Sequence, residues 1–235
     1  MQEIKNILIK NSKHYLDKKL SWEEAKLSRY IHLLDNKRVY YGIELIQDVP
    51  PPKNYITIDH HNTLQEKPSS IEQVADILGV KLNRYQTLVA LNDKGYIPAM
   101  EKFGATEVEI ELIRQKDRIA QGVTQKDEIL AKTAIENGEI INGVFVVKSF
   151  SNKFSPIADR CYGVIDKLLI YTDNELVYYG KGVEKLVKIF NKEIKKNKAY
   201  YGGNNGFFGI SEGYFNKEEI RRIKKRIIKE VATTA

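Results

Sequence analysis

The sequence predicts an α/β fold: a mostly parallel sheet with helices on both faces, plus a smaller mixed α/β C-terminal domain across a cleft. Three observations predict it. Short β-branched and aromatic runs alternate with capped helical segments through the first 137 residues, the pattern of parallel strands joined by helical crossovers. From about Gly138 the texture changes to closely spaced strands and lysine-rich helices. The alternating run Ile56-Thr57-Ile58 stops abruptly in Asp59-His60-His61, so ligand-grade side chains fall at the carboxyl end of a strand, where open α/β sheets build their sites.

Asn6–Lys10 reads as a short strand. Ser21-Trp22-Glu23-Glu24 has the form of a capping box and opens a helix to about Leu34, with Ala25, Leu27, Ile31 and Leu34 inward. Residues 38–45 form the next strand, Pro50-Pro51-Pro52 an extended connector, and Tyr55–Asp59 a further strand. Ser69-Ser70 starts a second capped helix that stops at Gly79. Arg84–Leu91 is a third helix, ended by Asn92-Asp93-Lys94-Gly95, and 105–137 is helical throughout. Beyond the boundary, taken as 1–137 and 138–235, come strands at 142–149, 168–171 and 175–179. A helix at 156–163, an amphipathic helix over 181–196, a glycine-rich loop at 200–209 and a closing helix from Asn216 complete the chain.

The 235 residues carry 38 Lys and Arg against 31 Asp and Glu, a net charge of +7. The surplus is uneven: residues 1–139 hold 20 and 21, residues 140–235 hold 18 and 10. The C-terminal part is therefore expected to meet an anion. The alternative is a set of solvated lysine-rich helices. The single cysteine, Cys161, cannot form an internal disulfide, which together with an N-terminus lacking a signal-like apolar run suggests the cytoplasm. No apolar run is long enough to span a membrane.

Asp59, His60 and His61 offer a hard oxygen and imidazole nitrogens, a donor mix suited to Mn²⁺, Fe²⁺, Co²⁺ or Zn²⁺ rather than Ca²⁺. Adjacent side chains in a strand point to opposite faces, so the two imidazoles can share an ion only if the strand has already ended. Asp93 follows an apolar helix at a dipole-disfavoured position that a bound cation would offset. An ordinary turn aspartate is the other reading. Gly202-Gly203-Asn204-Asn205-Gly206 either cradles phosphate through backbone N–H groups or makes a tight turn between strands.

Asp59-His60-His61 ending a strand, Ser69-Ser70 opening a helix, and Asp93 after the next helix together resemble the DHH phosphoesterase superfamily. The glycine-rich run near the chain end resembles the loop of the associated substrate-binding domain. The resemblance implies divalent metals, commonly Mn²⁺, in a cleft between domains, and hydrolysis of phosphodiester or phosphoanhydride bonds. It implies metal ligation by Asp59, His60 and Asp93, by Glu44 at the end of the preceding strand (Asp48 being the alternative), and by His14 and Asp17 in the first motif. It gives His61 a place beside the phosphate and gives Gly202, Gly203, Asn204 and Asn205 contact with substrate. The first motif departs from the family: Lys19 stands where a second aspartate is usual.

The function expected is metal-dependent cleavage of a short nucleotide, either an oligonucleotide (including single-stranded) or a cyclic dinucleotide. A non-nucleotide phosphatase or pyrophosphatase-like enzyme, and a degenerate protein that binds a phosphorylated small molecule without cleaving it, are the alternatives.

Overall fold

A computed structural model describes residues 1–202 and 206–232. The chain divides into two units, Met1–Ile113 and Arg114–Ala235.

In the first unit, α1 (Gln2–Lys10) replaces the expected strand at Asn6–Lys10. Ile4, Ile7 and Leu8 have helical spacing, and the first two are buried against Ile58, Ile71, Val74 and Ala90. The helix expected over 21–34 is absent among the described residues. Three separate 3₁₀ turns stand there, at Trp22–Glu24, Leu27–Arg29 and Ile31–Leu33. The capping box fails because the Glu24 carboxylate is taken by Arg29, and of the expected inward positions only Leu27 is buried.

β1 (Tyr40–Ile43) and β2 (Tyr55–Ile58) pair in parallel, in register Ile43 to Ile58. α2 (Ser70–Leu78) is capped by Ser69 and Glu72 and ends at Gly79, which takes the left-handed conformation that glycine reaches without strain. α3 (Arg84–Lys102) runs past Asp93, and its break falls at Gly95 and Tyr96. Pro98 explains the position, because its ring would collide with the carbonyl of Lys94 four residues back.

α4 (Glu107–Ala120) carries the chain into the second unit, where α5 (Gln125–Glu136) is capped by Thr124 and Asp127. Strands β3 (Glu139–Ile141), β4 (Val144–Lys148), β5 (Lys167–Tyr171), β6 (Leu176–Gly180), β7 (Ala199–Gly202) and β8 (Phe207–Ile210) form one sheet in the order β3-β4-β5-β6-β8-β7. Only β4 and β5 are parallel within it. The expectation of a mostly parallel sheet is corrected on this point: the fold is mixed α/β, and the larger sheet lies in the second unit. Closely spaced strands leave room only for hairpins, and hairpins force antiparallel pairing. β3 is an addition to the expected strands, although Asn142-Gly143, with φ of 50° and 76°, is a hairpin turn signal.

Helices cover both faces of this sheet. α5 and α6 (Ser155–Cys161) pack on Val147, Leu168, Ile170 and Val177. The opposite face holds Val146, Leu169, Tyr178 and Phe208 under α7 (Val183–Ile189) and α9 (Lys217–Val231). The single helix expected at 181–196 is broken at buried Phe190 into α7 and α8 (Asn191–Lys195). Arg118, 1% exposed, bridges Glu128 at 2.7 Å and Asp159 at 2.6 Å, and Arg114 grips Asp159 through two nitrogens at 3.1 Å. These pairs tie α4 to α5 and α6. Cys161 is buried, and burial pushes its thiol up to about 11. No helix of the described residues is long and apolar enough to cross a membrane.

Candidate metal centre

The end of β2 sets the site. His60, two residues past the last residue of β2, is buried, 6% exposed. β2 stops at Ile58, which frees His61 from the pleat, and its ring centroid lies 4.3 Å from that of His60. The condition for both imidazoles to share one location is therefore met.

Asp59 orients the second of them. Its Oδ1 accepts the His61 backbone N–H at 2.9 Å and the ring Nδ1–H at 2.8 Å, which fixes ring and tautomer as carboxylates commonly do behind metal-bound histidines. Burial pushes the Asp59 carboxyl up, but the bonds from His61 and the His60 amide outweigh it and hold it below the usual range. Gln73 Nε2 donates to the Asp59 carbonyl at 3.0 Å and pins the strand end to α2.

His60 gathers the remaining groups. Its Nδ1 is 3.3 Å from Ser70 Oγ in the first turn of α2 and 4.0 Å from Glu44 Oε1. Its Nε2 is 3.4 Å from Asp93 Oδ2. Glu44 follows β1 with φ of 53°, a left-handed conformation costly for a non-glycine residue. A regular strand would turn Glu44 away from the face shared by Ile43 and Ile58. The departure from the pleat brings its carboxylate to the imidazole. One donor atom from each of Glu44, His60 and His61 falls within 4.8 Å of the others.

Asp93 is held above the usual carboxylate range by desolvation first and by the Glu44 charge second, with His60 and His61 opposing. Two carboxylates crowded around two imidazoles are an arrangement that a divalent cation relieves, and the mixed nitrogen and oxygen donors fit such an ion. The residues present therefore fit the metal that the sequence resemblance implies.

His14 is exposed. Asp17 is ion-paired with Lys5 and accepts the Lys19 backbone N–H at 2.7 Å, and these bonds hold its carboxyl low. His14, Asp17 and Lys19 line, with Glu44, a hollow of about 880 Å³ along β1. Asp48 is engaged by the Ser28 N–H at 3.0 Å and hydroxyl at 2.5 Å, which leaves Glu44 as the acid beside His60. Gly202 closes β7, whereas Gly203, Asn204 and Asn205 lie outside the described residues.

Three supporting residues escape the reading of the sequence for ligands. Ser70 and Gln73 are signalled by their one-turn spacing on α2. Lys94, whose Nζ donates to the carbonyls of Gln65 at 2.7 Å and Lys67 at 2.5 Å, ties the segment after His61 to α3, and no sequence pattern announces it.

No family model matches the chain, and no curated protein does. Solved structures do. The pGpG-specific phosphodiesterase PggH of Vibrio cholerae is 14% identical, with 96% of this chain and 93% of that one covered and a TM-score of 0.46. RecJ of Thermus thermophilus, solved with Mn²⁺, is 13% identical, with 86% and 42% covered and a TM-score of 0.43. These structural neighbours are DHH-family proteins. A third is the DHH domain of a member of the s1p family of ribosomal proteins, 15% identical, with 67% and 37% covered and a TM-score of 0.32.

Proposed function

We propose that this chain is a divalent-metal-dependent phosphoesterase, most readily Mn²⁺-loaded, that hydrolyses phosphodiester bonds in a short nucleotide. The observation that carries the reading is the convergence on the adjacent His60 and His61 of Glu44 and Asp93, two carboxylates far from them and from each other in sequence. Glu44, His60, His61 and Asp93 would hold the ion, which would supply Lewis-acid charge to the phosphoryl oxygens. Asp59 holds the His61 ring in place, and Ser70 holds His60. His61, with 35% of its side chain exposed, would present Nε2 to the ion on the substrate side, its Nδ1–H being given to Asp59. Water as the attacking group leaves no need for a protein nucleophile.

The Lys5 partner of Asp17, and Lys19 in place of a further acid, favour one strong ion site over a matched pair. An ammonium close to a cation site lowers affinity there.

The test is turnover of linear and cyclic dinucleotides, short RNA and pyrophosphate with Mn²⁺, Mg²⁺, Co²⁺ or Zn²⁺, and after EDTA. The expected result is phosphodiester cleavage that EDTA removes and Mn²⁺ restores. Cleavage unaffected by EDTA would contradict the metal role. Cleavage of pyrophosphate alone would contradict the substrate class.

A further inference from the structure

The parallel pair of β1 and β2 has a free edge. Tyr40 and Glu44 donate toward β2, to the carbonyls of Asn54 and Ile58, each at 2.9 Å. Alternation along β1 therefore turns the N–H and C=O groups of Tyr41 and Ile43 the other way. No strand pairs with that edge among the described residues, and only past Glu44 does the chain meet another partner, Ile46 with Lys26. An unpaired edge is a template for one more strand.

The hollow along β1 has space for that strand. Residues 38–45 all line it, a length of about 25 Å in extended form. Its volume of about 880 Å³ falls within the range of ligand sites, about 300–1,000 Å³. It meets both faces of the pair, because Tyr41 and Ile43 stand on one and Tyr40 and Tyr55 on the other. Leu8 of α1 and Val74 and Leu78 of α2 wall it, together with Leu27 and Leu33 from the 3₁₀ turns. A strand lying there is covered on both faces, which calls for apolar side chains on both.

Two further features give the occupant its chemistry. Tyr55 lies across Gly42, and its hydroxyl is buried without a partner among the described residues. A carbonyl or carboxylate brought into the hollow would satisfy it. The rim is basic: Lys13, Lys19 and Arg38 line the hollow, are exposed, and form no ion pair among the described residues. Of the acids that line it, Asp17 is paired with Lys5 and Glu44 faces His60.

We propose that the hollow binds an extended acidic peptide segment of a partner protein as a third strand on β1, with apolar side chains on both faces and carboxylates toward Lys13, Lys19 and Arg38. Backbone hydrogen bonds to Tyr41 and Ile43 give affinity, and the apolar walls and rim cations give selectivity. A second copy fits poorly, since its β1 is preceded by Lys37 and Arg38, of the same sign as the rim. Residues 6–10 of the same chain are bounded by Lys5 and Lys10, and Ile4 and Ile7 of α1 are packed into the core. The site lies wholly within the first unit, and peptide binding there requires no metal.

The experiment is fluorescence anisotropy of the labelled peptide Gly-Asp-Val-Ile-Val-Ile-Glu, in EDTA, titrated with protein to about 0.5 mM. Saturable binding with Kd on the order of 10–100 µM is expected. A peptide with lysines in place of the two acids should bind about tenfold or more weaker. So should the acidic peptide N-methylated at alternate amides, which cannot complete the ladder. The Lys13→Glu, Arg38→Glu double variant should reverse the preference between the acidic and basic peptides. In hydrogen exchange, the Tyr41 and Ile43 amides should exchange readily in the free protein and slow about tenfold or more at saturation. Circular dichroism monitors folding, and if the double variant unfolds, Arg38→Gln alone gives the same reading on a smaller scale. No saturable binding would overturn the proposal. So would equal affinity for the methylated peptide, or an unchanged preference in the charge variants. Tyr41 and Ile43 amides already protected in the free protein would assign the edge to residues 6–10 or to a second copy, and would overturn it as well.

Discussion

The two units carry backbone strain differently. Among the described residues, the non-glycine residues with positive φ in the first unit are Ser12, Lys19, Glu44 and Tyr96; in the second they are Asn142 and Asn197. Asparagine tolerates that conformation, whereas glutamate and tyrosine do not. Both of the latter adjoin the candidate centre: Glu44 reaches His60, and Tyr96 follows Asp93 by three residues. The second unit also buries two extensive apolar clusters against a six-stranded sheet, where the first has one small cluster against two strands. The well-packed unit resolves its charges internally or turns them outward. The site-bearing unit gathers carboxylates and imidazoles and holds them with a strained strand end, as functional sites commonly do.

The contrast predicts separable losses. The largest should come from His60→Ala, which is expected to lower Mn²⁺-dependent turnover on the order of 10²–10³-fold or more while the circular dichroism spectrum is retained. Undiminished turnover would break the assignment. Arg118→Ala is the mirror case. It leaves Asp159 and Glu128 short of a buried partner and should destabilise the second unit by about 3–5 kcal/mol in denaturant unfolding, with Mn²⁺ affinity unchanged in protein that remains folded.

Glu44→Gly sharpens the comparison. Releasing the left-handed φ should raise stability by about 1 kcal/mol, while Mn²⁺ affinity falls on the order of tenfold or more. A loss of both would mean that Glu44 serves packing rather than the centre.

The smallest effect concerns pH. Burial, with Glu212 nearby, pushes Glu175 up to about 6, and its Oε1 is buried without a partner. A carboxyl with a raised folded pKa favours the folded state below its ordinary value, and that contribution is lost as pH climbs through about 6. Glu175→Gln should therefore match the parent near pH 4 and exceed it near pH 8 by about 1 kcal/mol, discounted for solvent screening. An equal difference at both pH values would show that the effect is not titration.

Much of this was legible in the sequence where local chemistry and fold agree. The end of β2, the capping box of α2 and its stop at Gly79, and the pairing of β5 with β6 follow from short-range signals. What misled was signal without its tertiary partner. Ser21 to Glu24 has the letters of a capping box, but Arg29 takes the carboxylate. The Asn6–Lys10 pentapeptide is a short apolar run that reads as a strand, but the spacing from Ile4 to Leu8 and the buried face of β2 make it a helix. At the site, Asp59, His60 and His61 were visible because they are contiguous and Asp93 because it follows an apolar helix. The division of labour was not visible. That Asp59 holds His61, that Asp17 is spent on Lys5, and that Lys94 braces the segment after His61 are contacts between residues 2 to 29 positions apart, and no periodicity reports them.

Titration of Mn²⁺ into metal-free protein, followed by electron paramagnetic resonance and compared between the parent and Asp93→Asn, bears on the centre most directly. The expected result is about one tightly held ion per chain in the parent, and affinity on the order of tenfold or more weaker in the variant, whose fold is unaltered. A parent that takes up no Mn²⁺, or a variant that binds it as tightly, would contradict a cation site built on His60 and Asp93.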